Sequence, residues 1–168
     1  MDDSLLNHAI RTMHFDQVIM DKALEAGMGE EPVIRLTKLV AKEIEWLQSN
    51  IPIPGFREYL MTNAFADEYQ FCAHNVYSVR LMMKHNNDDF FRGLTKGYLV
   101  IGSAPNGDSI AIDRAKHEQI GFIGHEDPDN WSFVGVDTSI SDFFWKSWNQ
   151  KDYPSDFYQA EDAANKSL

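Results

Sequence analysis

The first part of the chain carries apolar residues at helical spacing. Leu5, Leu6, Ala9, Ile10 and Met13, then Val18, Ile19 and Leu24, recur at steps of three and four, the period of a helix that buries one face. Gly27 and Gly29 interrupt the pattern, and Glu30-Glu31-Pro32 opens a second helix with acid and proline in its first turn. The stripe Val33, Leu36, Leu39, Val40, Ile44 and Leu47 extends that helix to about Gln48. Ile51-Pro52-Ile53-Pro54-Gly55 reads as a stiff linker, because each proline disfavours helix at the residue before it. Phe56, Tyr59, Leu60 and Phe65 then predict a short amphipathic helix ending near Asn63.

After Asp67 the period shortens to two. Tyr69, Phe71 and Ala73 alternate with Gln70, Cys72 and His74 as along a strand. Val76 to Lys84 fits either a strand or a helix, and residues 85–89, HNNDD, read as a polar loop. Asp88 or Asp89 is placed to cap a short turn that Gly93 and Gly97 end. From Tyr98 the pattern is β: Leu99 and Ile101, then Ile110 and Ile112, then Ile120 and Phe122, then the stretch from Trp131 to Val136. Asp137-Thr138-Ser139 turns into an aromatic helix, with Ser139 and Asp142 as its capping pair. The last residues, KDYPSDFYQAEDAANKSL, are polar and are expected to fray beyond Tyr158. Helices, an antiparallel meander and a closing helix make an α+β domain.

Composition and charge narrow the function. Hydrophobic residues make up 43% and aromatics 12%, enough for a packed interior and too many for a disordered chain. No apolar run approaches the ~20 residues that a membrane span needs, so no membrane association is expected. The start, MDDSLLNHAI, is acidic where a signal peptide is basic, and the single Cys72 can form no internal disulfide; the expected location is the cytoplasm. Asp and Glu number 26 against 15 Lys and Arg, a net charge of -11. Such a surface repels phosphate backbones, which disfavours direct nucleic-acid binding, and steers basic protein partners inward.

The residue types that carry catalysis do not assemble into a pattern. Asn106, Gly107 and Asp108 could present a phosphate, but the turn runs into a strand and no Lys follows, unlike a phosphate-binding loop. Asn-Gly between two alternating apolar runs is a hairpin signal. These three residues are therefore read as a structural turn, with Asp108 bonding locally to it. The six histidines form no metal-binding spacing, and His125-Glu126-Asp127-Pro128-Asp129 lacks the calcium-loop pattern. Cys72 and His74 would share a strand face, yet a lone Cys in an apolar strand is commonly a small buried hydrophobe. No catalytic, metal or cofactor site is expected. Phe143, Phe144, Trp145 and Trp148 cannot all face one core, since consecutive helical positions lie ~100° apart, so the remaining aromatic surface either meets a partner or packs against the N-terminal helices.

Four segments in order resemble the SUKH superfamily, the SMI1/KNR4 family. They are Ile53-Pro54-Gly55-Phe56-Arg57-Glu58-Tyr59-Leu60-Met61-Thr62-Asn63-Ala64, the hairpin from Gly102 through Gly107-Asp108 to Asp113, Ile120-Gly121-Phe122-Ile123-Gly124-His125-Glu126, and Val136-Asp137-Thr138-Ser139-Ile140-Ser141-Asp142-Phe143-Phe144. Ala64 stands where the family has Gly. The resemblance implies one twisted, mostly antiparallel sheet flanked by helices over residues 30–150, with an extension at 1–29 and a tail at 151–168. It also implies a non-enzymatic immunity protein that binds and neutralises a bacterial toxin, possibly a nuclease, or else an intracellular regulatory scaffold; a hydrolase or metal-dependent enzyme is the remaining alternative. The expected contact residues are Asp88, Asp89, Glu126, Asp127, Asp129 and Trp131, facing a basic toxin domain.

Overall fold

The alternating apolar runs from Tyr98 onward become the centre of an antiparallel sheet in the computed structural model, which describes residues 38–62, 69–71, 74–87, 96–116, 119–126 and 132–166. The elements in chain order are α1 (Ala41–Asn50), α2 (Pro54–Thr62), β1 (Tyr69–Phe71), β2 (His74–Val76), α3 (Val79–Asn87), β3 (Tyr98–Ser103), β4 (Ser109–Asp113), β5 (Ile120–Ile123), β6 (Phe133–Asp137), α4 (Ile140–Asn149) and α5 (Phe157–Lys166). The six strands lie in sequence order, β1 to β6, each antiparallel to the next. This is the expected α+β class and the expected meander. The N-terminal extension at 1–29 lies outside the described residues.

Four local expectations are corrected. The helix expected from Glu30 to Gln48 is not continuous, since Val40 is extended at φ -85°, ψ 162° and helix begins only at Ala41. Glu43 sets that start: its Oε2 accepts the Val40 N–H at 2.9 Å, half of a capping box. Its Oε1 takes Arg80 Nε and Nη2, each at 2.9 Å, and so ties α1 to α3. The strand expected over residues 69–74 is instead two strands of three residues, with Phe71 opposite His74. Strands this short leave period two unable to tell one strand from a hairpin.

The ambiguous stretch after Val76 is helix, and His85 to Asn87 belong to its last turn rather than to a loop. Ser78 starts it, its Oγ accepting the Leu81 N–H at 3.2 Å, as an N-cap does. The tail does not fray at Tyr158. Asp156 caps α5 by accepting the Gln159 N–H at 2.9 Å, while Gln159 Oε1 accepts the Ser155 N–H at 3.2 Å. Asp156 thus caps the helix, and Gln159 reaches back to the residue before the cap rather than to the cap's own N–H, a variant of the capping box. The helix then buries Phe157 and Ala160, two positions on one face.

The core is continuous from the helices into the sheet: Leu47, Ile51, Ile53, Phe56 and Leu60 join Val76, Leu99, Ile101, Ile110, Ile112, Phe122 and Phe143. Every residue of β5 is buried, as are Ile110, Ala111 and Ile112 of β4, so both faces of the central strands are covered. Helix α3 packs on β3, α4 on β6, and α5 on β5 and β6. No helix among the described residues is long and apolar enough to cross a membrane.

One side of β3 presents a particular problem. Strand β2 pairs with it only at Asn75–Ser103 and Val76–Gly102, and the carbonyl of Asn75, the residue before Gly102's partner, comes so close that a Cβ at 102 would collide with it. The register shifts between Val100 and Gly102, and the carbonyl of the intervening Ile101 accepts the Tyr77 N–H at 2.9 Å. Beyond this bulge Asn86 of α3 replaces the missing strand. Its Oδ1 accepts the Val100 N–H at 2.8 Å, and its Nδ2 donates to Val100 O at 2.7 Å and Met82 O at 2.8 Å. A carboxamide has the donor and acceptor of a peptide group, so it pairs with both polar groups of Val100. Replacing Asn86 by Leu leaves the Val100 N–H and C=O buried without partners, which we expect to cost about 3 kcal/mol. Urea unfolding measures this, and a loss below about 1 kcal/mol would refute the strand-substitute role.

Candidate functional site

The turn between β3 and β4 brings three chain segments together. Gly107 N–H donates to Ala104 O at 3.0 Å, and Ala104 N–H donates to Asp108 O at 2.8 Å. Gly107 has φ +95°, which L side chains adopt only with strain. This is a hairpin loop of three residues, Pro105, Asn106 and Gly107, with the glycine in the left-handed region where such loops need it. The Asn106 carboxamide bonds on both sides: Oδ1 accepts the Asp108 N–H at 3.1 Å, and Nδ2 donates to Asp108 Oδ2 at 2.7 Å. Asn106 and Gly107 thus form the turn, the one through its side-chain bonds and the other through its backbone conformation.

Asp108 does more than bond locally to its turn. Its side chain is 0% exposed, and a buried carboxylate needs partners for both oxygens. Oδ1 accepts the His125 backbone N–H at 3.0 Å and His125 Nδ1–H at 2.6 Å; Oδ2 accepts the Phe157 N–H at 2.9 Å besides Asn106. The residue thus joins the β3–β4 turn, the segment after β5 and the first turn of α5. Phe157 N–H is one of the N–H groups that a helix start leaves open, and a carboxylate is favoured there. Burial alone would raise the Asp108 carboxyl, but the hydrogen bonds from His125, Asn106 and Phe157 outweigh it and hold the group below its ordinary value of 3.8.

Around this anchor lies an exposed face formed by His125, Glu126 and Tyr158. The His125 side chain is 45% exposed, and the bond to Asp108 fixes Nδ1 as the protonated nitrogen. Glu126 is exposed beside it. Tyr158, the second residue of α5, is 44% exposed, and its hydroxyl donates to Glu126. That bond, with a smaller contribution from burial, pushes the Tyr158 hydroxyl up to about 12. Of the expected contact residues, Glu126 is therefore placed on this face, while Asp88, Asp89, Asp127, Asp129 and Trp131 lie outside the described residues. Among the aromatics of α4, Phe143 is buried in the core; the side chains of Phe144, Trp145 and Trp148 are likewise outside the described set.

Two more polar contacts hold the segment that leads from α4 into α5. Asp137, at the end of β6, accepts Lys146 Nζ at 2.8 Å and the Tyr153 hydroxyl at 2.6 Å. Burial and the Asp137 carboxylate both push the Tyr153 hydroxyl far up from its ordinary value. His74 of β2 meets Ser155 O through Nε2 at 3.0 Å. Sequence reasoning placed His74 on one strand face with Cys72 and set a reactive pair aside; Cys72 lies outside the described residues, and His74 packs against the rings of Phe122 and Phe143. The missed residues are His74, His125, Asp156 and Tyr158. A signal existed for Asp156 in its spacing to Gln159, and for His125 in its place within a quoted motif. None existed for the pairing of Asp108 with His125, 17 residues apart, or with Phe157, 49 apart. The chain matches no protein-family model, no curated protein and no solved structure.

Replacing Asp108 by Asn keeps the shape and removes the charge. We expect a loss of about 2–4 kcal/mol at pH 7, because one buried oxygen becomes a donor facing donors. Since the folded value lies below the unfolded one, the carboxylate's contribution is complete above pH 3.8 and is lost as pH falls through the lowered folded value. By urea titration, the gap in stability between wild type and Asp108→Asn should therefore narrow progressively over the pH range below 3.8. A constant gap across that range would contradict the assignment.

Proposed function

We propose that this chain is a non-enzymatic, acidic protein-binding domain, and that it acts as an immunity protein occluding a basic toxin domain in the cytoplasm. One observation carries the reading: the segment after β5 presents His125 and Glu126 to solvent while the buried Asp108 fixes its backbone. A preorganised loop loses less conformational freedom on binding than a mobile one. The net charge of -11 supports a basic partner, since acidic fields speed the encounter with such a surface. The ordered resemblance to the SUKH superfamily supports the immunity role in particular. Every hydrogen bond that Asp108 accepts joins or braces chain segments, as an anchor does, which supports binding over catalysis. Asp88, Asp89, Asp127, Asp129 and Trp131 complete the proposed contact set.

Affinity capture from the native host should retain a basic protein. With that partner in hand, its association rate should fall about tenfold or more between low and high salt, because exposed charges are screened. Glu126→Lys should slow association at low salt and change little at high salt. An association rate that ignores ionic strength would defeat the electrostatic reading.

A further inference from the structure

His74 occupies a place that a charge would disturb. It is 1% exposed, and its ring lies 5.6 Å from that of Phe122 and 5.3 Å from that of Phe143. Nε2 donates to Ser155 O at 3.0 Å, which makes the neutral Nε2–H tautomer the one present and leaves Nδ1 as a bare acceptor. Nδ1 is buried and has no partner among the described residues. Adding a proton there would create a buried N–H with nothing to accept it, on a ring that now carries charge.

The segment that His74 grips is held narrowly. Between Gln150 and Lys166 only Phe157 and Ala160 are buried. Its polar anchors include Tyr153 on Asp137, Ser155 on His74 and Phe157 on Asp108. Tyr153 is pushed up and Asp108 held down from their ordinary values, whereas a histidine ordinarily changes charge between pH 5 and 8.

We propose that residues 153–160 form a strap whose closure depends on neutral His74, so that protonation of this one buried imidazole loosens the strap from the β5–β6 face. The phenyl rings of Phe122 from β5 and Phe143 from α4 provide no acceptor for Nδ1. Asp156 is the charged group that favours the imidazolium, and the bond to Ser155 O favours it too; burial outweighs both and lowers the group from its ordinary 6.5. A histidine lowered in the folded state stabilises closure fully above pH 6.5, and that contribution fades as pH falls below it. The unfolded or opened strap then binds the extra proton. This inference concerns how the domain is regulated and does not depend on the identity of its partner.

The test is amide hydrogen exchange on the full chain at pH 7.5 and 5.5, corrected for intrinsic exchange rates. Protection of residues 153–160 should fall severalfold at the lower pH, to at most about tenfold, since the limit is one decade per pH unit below 6.5, while β3 to β5 stay unchanged. His74→Gln, which keeps a donor toward Ser155 but cannot charge in this range, should lose the pH dependence. Equal protection at both pH values, or the same fall in the variant, overturns the proposal. Direct NMR titration of the wild-type imidazole decides the matter if the variant does not fold: a midpoint at or above 6.5 overturns it, and one below supports it.

Discussion

Asp108 has no contact with water, and a buried charge left to itself costs several kcal/mol. Its four accepted hydrogen bonds come from the hairpin tip, from the chain after β5 and from the start of α5. None of those segments can shift without leaving the carboxylate short of a donor. The geometry of one end of the sheet follows from this requirement. The hairpin must curl so that Asn106 reaches back, His125 must turn inward at its Nδ1, and α5 must begin at Phe157. The exposed surface of His125, Glu126 and Tyr158 is the outer side of the same arrangement.

Toward the end of β3 away from this hairpin the constraint is the strand's own backbone. Buried N–H and C=O groups require partners, and β2 is too short to supply them along the whole strand. The bulge at Ile101 and the carboxamide of Asn86 complete the pairing from a helix. Both ends therefore use one polar side chain to close what regular secondary structure leaves open. The apolar core between them, from Leu47 through Ile112 to Phe143, contributes cohesion without direction. The polar contacts set which segments meet.

This arrangement bears on function through rigidity. Binding surfaces made from loops hold their shape when a fixed scaffold positions them, and here the scaffold is a single buried carboxylate. Under the proposed function, the acidic character of the chain would select a basic partner for that surface. The segment carrying Tyr158 packs against the same face, so whatever moves the strap also alters the edge of the proposed contact surface.

Much of the fold was legible in the chain. The period-two runs from Tyr98 to Val136 and the turn chemistry of Asn106-Gly107 specified consecutive antiparallel strands, because alternation and left-handed turn residues are local properties. Ser139 marked the start of α4 for the same reason. The errors came where local signals were short or weak: three-residue strands at 69–76, an Asp-x-x-Gln cap in an otherwise polar tail, and a helix whose buried face includes Asn86. The acidic composition pointed toward Glu126 without indicating what holds it in place. The sequence by itself determined the element types, the hairpin and the charge. Only the tertiary structure decided that Asp108, His125 and Phe157 share one carboxylate and that His74 closes on Ser155, because contacts between distant residues depend on which segments the packed core brings together.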